Sequence, residues 1–261
     1  MIKFKGLSEE ETAALLPSEE KDLILVGYRG SIAHGTYRPS DHPSSVDDKD
    51  LMAIYVAPEQ FYVGFGRGKD ARDIKFDDYD MVHYELRKFV NLLMKANPNV
   101  MCMLWLENKH YVYKSALGRE MIRIRDWFSS RKAYHSHTGY AYSQLHRMEN
   151  MNFEGYMGEK RKRLVEAYGY DTKNASHLIR LLEMGIEFLT EGKLYVQRKN
   201  AAKLLDIKDG KWTLDQVKKE ADRLFGAARF AYVNSPLPNE VDEGKIEDWL
   251  CNAITTTRGW V

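Results

Sequence analysis

One short stretch, LILVGYRGSIAHGTYRPSDHPSSVDDKDLMAIYV from Leu23 to Val56, holds residues whose types and spacing suit phosphoryl chemistry. An apolar run, Leu23–Val26, leads into Gly30-Ser31. Glycine lets the backbone approach a ligand closely and take a positive φ without a Cβ penalty. Ser31 adds a hydroxyl, and the neighbouring amides can point at phosphate oxygens. Farther on, Asp48 and Asp50 flank Lys49 at the entry to a second apolar run, Leu51–Val56. Side chains two apart on a strand share a face, so the two carboxylates can meet one hard cation while Lys49 points away. Mg²⁺ takes few protein carboxylates and completes its shell with water and phosphate oxygens. Two such ions, roughly 3.5–4 Å apart, clamp the attacking and leaving oxygens of an in-line displacement. Taken singly, an Asp-rich loop is ordinarily solvated and Gly-Ser is a common turn. Their order, each joined to an apolar run, favours the functional reading.

A third carboxylate would either take a proton from an attacking hydroxyl or hold the ion that acidifies it. Asp80, on an expected strand Tyr79–Tyr84, is the first choice, with Asp78 and Glu85 as alternatives.

Several elements must position these groups. Ser8 and Glu11 have the spacing of a capping box before a short helix that Pro17 ends. Leu23–Tyr28 and Leu51–Val56 are expected strands, the second apolar enough to be central. Short strands are expected at Phe61–Phe65 and Ile74–Phe76, around a Gly64/Gly66/Gly68 turn that also carries Arg67, Lys69 and Arg72. A glycine-basic turn can cradle phosphate, but its ordinary role is a surface hairpin tip, and the tip is favoured. Leu86, Phe89, Val90 and Leu93 recur at helical spacing over Glu85–Ala96. Val100–Leu106 is an expected buried helix. Helical patterns then run through Ser115–Phe128, Arg131–Asn150, Glu159–Tyr168, a segment capped by Asp171 or Thr172 and stopped by Gly192, Leu214–Asn234 with a Thr213/Gln216 capping box, and Asp242–Ile254. Leu204–Thr213 reads as a small hairpin turning at Asp209-Gly210. The fold class is therefore α+β: a small mixed-sheet core over 1–115, then an all-helical part over 116–261 that closes a cleft.

With 261 residues the chain can bury a real core. The net charge of +1 argues against a globally basic nucleic-acid binder but leaves room for a local patch. Two cysteines, Cys102 and Cys251, make neither a metal site nor a disulfide framework. No apolar window approaches a membrane span, and the N-terminus lacks a secretory signal's apolar core, so a reducing cytoplasm is the expected compartment and a membrane is not an expected partner.

Two basic features stand out. Lys160, Arg161, Lys162 and Arg163 form a run that is ordinarily a solvated helix face, with a phosphate-contacting patch as the minority reading. Lys173, His177 and Arg180 fall at i, i+4 and i+7 on a helix whose other side is apolar. Spacing alone favours a surface stripe over one aimed at an anionic ligand.

GYRGSIAHG followed by DDKDLMAIYV resembles the Gly-Ser and Asp-x-Asp motifs of the DNA polymerase β-type nucleotidyltransferase superfamily. YELRKFVNLLMKANPNV and GYDTKNASHLIRLLEMGIEFLTEGKL resemble the bacterial and phage nucleotidyltransferase family that includes the RNA-ligase-associated members. The similarity runs from about Val26 to about Pro238. The resemblance implies that Gly30 and Ser31, with His34, hold the phosphates of a nucleoside triphosphate, and that Asp48, Asp50 and Asp80 carry Mg²⁺, with Mn²⁺ as the alternative ion. It also implies that Lys173, His177 and Arg180 contact the nucleotide from the helical part. The loop Arg38–Ser45 lengthens the usual motif spacing, and Cys102 stands where the family often has a glutamate. The expected reaction is transfer of a nucleoside monophosphate to an acceptor hydroxyl, with an RNA end as the acceptor, Lys160–Arg163 on its backbone, and pyrophosphate released. The alternatives are a protein or small-molecule acceptor, or a non-catalytic nucleotide- or RNA-binding regulator.

Overall fold

The computed structural model describes residues 2–16, 22–39, 42, 48–63, 65–66, 68–149 and 159–260. In chain order the elements are α1 (Glu9–Leu15), β1 (Leu23–Tyr28), α2 (Gly30–His34), β2 (Lys49–Tyr55), α3 (Glu59–Tyr62), β3 (Ala71–Phe76), β4 (Tyr79–Glu85), α4 (Leu86–Met94), α5 (Pro98–Met101), β5 (Tyr111–Lys114), α6 (Ala116–Arg123), α7 (Lys132–Glu149), α8 (Glu159–Tyr168), α9 (Thr172–Glu191), α10 (Ala201–Lys208), α11 (Leu214–Val233) and α12 (Glu243–Arg258). The chain forms two compact units. One takes residues 1–33, 48–128 and 241–261; the other takes 34–47 and 129–240. The fold is α+β, as its sequence pattern implies. No described helix is long and apolar enough to cross a membrane.

The sheet unit is built on five strands in the order β3-β4-β2-β1-β5. β2 and β4 pair in parallel; the other neighbours are antiparallel. β2 is central, and after two half-exposed residues its remaining five are buried. Leu51, Ala53 and Tyr55 pack with Leu15, Val26 and Met81 in one core cluster. Glu85 ends β4 and caps α4: fully buried, it accepts from Lys88 N at 3.1 Å and from the Tyr62 hydroxyl at 2.5 Å. The Ser8/Glu11 capping box forms. Trp249 of α12 donates to Glu120 at 3.3 Å, and Arg258 pairs with Asp22.

Three local expectations are corrected. Leu204–Thr213 is not a hairpin: Ala201–Lys208 is helical, and Gly210, at φ 73°, serves the turn beyond it. The Ala, Leu and Lys content of that segment suits a helix, and no β-branched pair competes. Phe61–Phe65 is not a strand, because α3 takes its first two residues. Val100–Leu106 is divided between α5, opened by Pro98, and a 3-10 turn at Cys102–Leu104. Cys102 is buried in apolar surroundings, whereas Cys251 is exposed.

In the helical unit α9 is the centre. Its 20 residues run about 30 Å, from the Asp171 N-cap to Gly192 in the left-handed region. Leu178, Ile179, Leu181 and Leu182 of α9 share a core with Leu204, Ile207, Val217 and Leu224. The segment beginning at His34 is stitched to this unit. His34 Nδ1–H donates to Val196 O at 2.9 Å, Lys208 Nζ donates to Thr36 O at 3.1 Å, and Arg38 pairs with Asp209.

His137 of α7 is buried against Gly185 of α9 and donates from Nδ1 to Ala133 O at 2.9 Å. Burial pushes its pKa down to about 4, helped by the Arg180 charge. Below about 6.5, histidine's ordinary value, the unfolded chain takes a proton that folded His137 refuses until about pH 4. Stability therefore falls as pH drops through this window, by up to about 1.4 kcal/mol per pH unit for such a group. Urea unfolding between pH 7 and 4.5 is expected to show this decline, and His137→Gln is expected to make it shallower. An unchanged slope in the variant would assign the acid sensitivity elsewhere.

Candidate active site

The pairing of β2 with β4 sets Asp50 directly abreast of Asp80. Residues paired this way project from the same face of a sheet. On the far side of β4, Lys75 of β3 is paired with Asp80, and its Nζ lies 3.3 Å from Asp80 Oδ2. On the far side of β2, Arg29 follows β1; its N–H donates to Asp50 O at 2.9 Å, and its guanidinium lies 3.6 Å from Asp50 Oδ1. A cross-sheet row results: Lys75, Asp80, Asp50, Arg29. Asp48 precedes β2 and is exposed. Asp80 first, and Asp48 more weakly, hold the Lys75 ammonium above its usual pKa.

Lys49 serves another set of groups. Its Nζ is 2.9 Å from Asp78 Oδ2 and 4.7 Å from the centre of the Tyr79 ring. Asp78 is thus engaged by Lys49 and Glu85 is enclosed as a helix cap. Of the three alternatives for a third carboxylate, Asp80 is the one beside Asp50.

Gly30 opens α2 at φ 60°, and a Cβ there would run into the Asp50 carboxylate. Both the backbone angle and the close approach require glycine. Next to it, Ser31 Oγ is buried and makes no hydrogen bond among the described residues. The small-residue bend and the acidic strand entry therefore face each other.

Among the described residues no three His, Cys, Asp or Glu side chains are gathered as a metal-ligand group. Asp50 leans toward Arg29 and Asp80 toward Lys75, so each acid answers its own cation. The donors are nonetheless hard carboxylate oxygens, the ligand type of Mg²⁺, which needs only one or two of them.

In the helical unit the structure gathers His34, His177 and Arg180. His34 is buried, and its pKa is driven well below the ordinary value by burial first, then by the charge of Arg180, with His177 and Arg198 adding to it. Arg180 is buried, with Nη1 3.2 Å from Met184 Sδ. Lys173 is half-buried one turn before His177. Lys162 is half-buried and Arg163 exposed on α8, while the side chains of Lys160 and Arg161 lie outside the described residues, as do Asp47, Gly64 and Arg67. Sequence reasoning missed Arg29 and Lys75. Arg29 had a signal, its place immediately before Gly30-Ser31. Lys75 had none, because only the β3–β4 register brings it to Asp80.

The model of the RlaP family, described as the RNA repair pathway DNA polymerase beta family, matches residues 7–224. The chain belongs to this family. As a polymerase beta family member it falls in the nucleotidyltransferase class, whose enzymes generally use divalent metals. No curated protein matches the chain. A nucleotidyltransferase-like protein from Exiguobacterium sibiricum is similar over 95% of this chain and 75% of its own, at 7% identity and a TM-score of 0.28. A likeness that slight carries no argument about this polymerase beta family protein.

The Gly30 geometry gives a direct test. Gly6 is also at positive φ, 85°, but a Cβ there would meet nothing within 4 Å. Gly6→Ala is expected to cost about 1–2 kcal/mol, the backbone penalty alone. Gly30→Ala is expected to cost more, about 2–4 kcal/mol, because a displaced or crowded carboxylate adds to it. Denaturant unfolding of the two variants checks this, and equal losses would mean that Asp50 does not press on the bend.

Proposed function

We propose that the protein moves a nucleoside monophosphate from a nucleoside triphosphate to the hydroxyl of an RNA end, with release of pyrophosphate. The observation that carries this reading is the register pairing of Asp50 with Asp80 opposite the Gly30-Ser31 bend. The RNA acceptor is supported by the printed description of the family, an RNA repair pathway.

The geometry supports the following roles in this reading. Gly30 offers backbone close to the triphosphate, and the unpartnered Ser31 hydroxyl donates to a phosphate oxygen. Asp48, Asp50 and Asp80 would hold Mg²⁺, with Mn²⁺ as the alternative. The ion, when bound, neutralises phosphate charge and acidifies the attacking hydroxyl. Arg29 and Lys75 flank the acids. They lower the repulsion between two carboxylates on adjacent strands and can turn toward phosphate oxygens once the acids have another partner. Asp80 takes the hydroxyl proton or fixes the acceptor side. Catalysis of this kind is mostly positioning and charge neutralisation. Within the helical unit, His34, Lys173, His177 and Arg180 supply donors and positive charge for an anionic ligand. Lys160, Arg161, Lys162 and Arg163 are assigned to RNA backbone.

The test incubates the protein with each labelled nucleoside triphosphate, Mg²⁺ or Mn²⁺, and RNA oligonucleotides with free or blocked 3′ hydroxyls, and follows label transfer and pyrophosphate. Asp50→Asn and Asp80→Asn are each expected to lower transfer on the order of 10²–10³-fold, the usual loss when a group stabilising transition-state charge is removed. Lys49→Ala, which removes a side chain facing Asp78 and Tyr79, is expected to lower it less than about 5-fold. Wild-type activity that survives both aspartate changes would sink the assignment.

A further inference from the structure

The sheet unit carries a second concave surface, away from the acidic row. A groove of about 880 Å³ lies between the stretch Gly68–Ala71, at the start of β3, and the outer face of α4. Glu85, at its base, is five residues beyond Asp80 on β4, about 17 Å along the strand.

The lining is basic in a particular way. Lys69, Arg87 and Lys95 are exposed and border the groove, with Asn91 between the last two. None of these three cations has a carboxylate partner among the described residues. Elsewhere in this unit Arg29, Lys49, Lys75 and Arg258 each face one. Lys88 is answered by Asp70 at 3.0 Å, and Glu85 is enclosed by Tyr62 and the α4 backbone. Arg87 is held in place: its guanidinium lies 5.3 Å from the centre of the Phe61 ring and 5.6 Å from that of Tyr62. Such contacts fix a cation without neutralising it. The groove thus presents preorganised, uncompensated positive charge at a concave surface, an arrangement that attracts a polyanion.

Spacing argues for a chain of phosphates and not a single one. Arg87, Asn91 and Lys95 follow at i, i+4 and i+8, one line along the helix about 12 Å long. That line outreaches an isolated phosphate and suits a backbone running beside α4.

We propose that this groove binds the phosphate backbone of single-stranded RNA, remote from the reacting end. The choice of RNA rests on the proposed function, whereas the phosphate-chain chemistry rests on the groove itself. Gripping the strand at a distance from the acids would bind substrate without contributing to the chemical step, so its loss raises KM and leaves kcat in place.

The experiment measures binding of a fluorescent single-stranded RNA to the full-length protein by anisotropy, over a range of salt. Compared with wild type are Arg87→Glu/Lys95→Glu, the charge-matched control Lys219→Glu/Arg229→Glu on α11, and Asn91→Lys. The groove variant is expected to bind RNA at least 10-fold more weakly, with its salt slope reduced by about 1.4, since each of the two lost phosphate contacts on a single strand removes about 0.7. Asn91→Lys, which adds a cation on the same line, is expected to bind 2- to 5-fold more tightly and keeps the test open should the double variant unfold. ATP affinity is expected to be the same in all four proteins. Equal loss in the groove and control variants, no RNA binding by wild type, or an ATP affinity that tracks the groove variants would each overturn the proposal. RNA binding that depends on the groove, in a protein that transfers no nucleotide to any RNA, would instead leave the groove standing and remove the proposed function.

Discussion

Two strands running the same way, side by side and in register, set the terms for the sheet unit. That pairing brings Asp50 and Asp80 to neighbouring strands, roughly 5 Å apart at the backbone. Two like charges on one face of neighbouring strands repel each other. The sheet answers with a cation at each end of the row, Lys75 from β3 and Arg29 from the end of β1. Each acid leans outward to its own partner. The strand order β3-β4-β2-β1 is therefore also an order of charges, positive, negative, negative, positive. The apolar remainder of β2, buried from Leu51 to Tyr55, anchors the row from below.

The helical unit treats charge differently. It buries Arg180 and Arg198 near its central helix and keeps its enclosed histidines neutral around them. Arg198 is satisfied by Glu187 at 2.6 and 2.8 Å, a two-pronged pairing that fixes its plane.

Much of this was legible in the sequence, and the exceptions have a common cause. Apolar runs gave β1 and β2, and the Ser-x-x-Glu and Thr-x-x-Gln spacings formed the capping boxes they imply. Local chemistry writes such features into adjacent residues. Leu204–Thr213 misled because Asp-Gly serves a hairpin and a helix end equally well; only the helix-forming residues before it decide. β5 was too short to show a period. Lys75 beside Asp80, Arg87 over Phe61, and the closeness of Gly30 to Asp50 all depend on which strands or turns lie next to one another. No single stretch of sequence holds that information.

Neither unit is a continuous piece of chain. The sheet unit is begun at the N-terminus, interrupted, and closed by α12, whose Trp249 and Arg258 reach back to Glu120 and Asp22. During synthesis, more than a hundred residues of the helical unit emerge between the fifth strand and that closing helix. At ribosomal speeds this is a wait of about 5–20 s. Five strands and their acidic row thus leave the ribosome well before the segment that completes their unit, and the delay is an interval in which an unfinished sheet is open to misassembly.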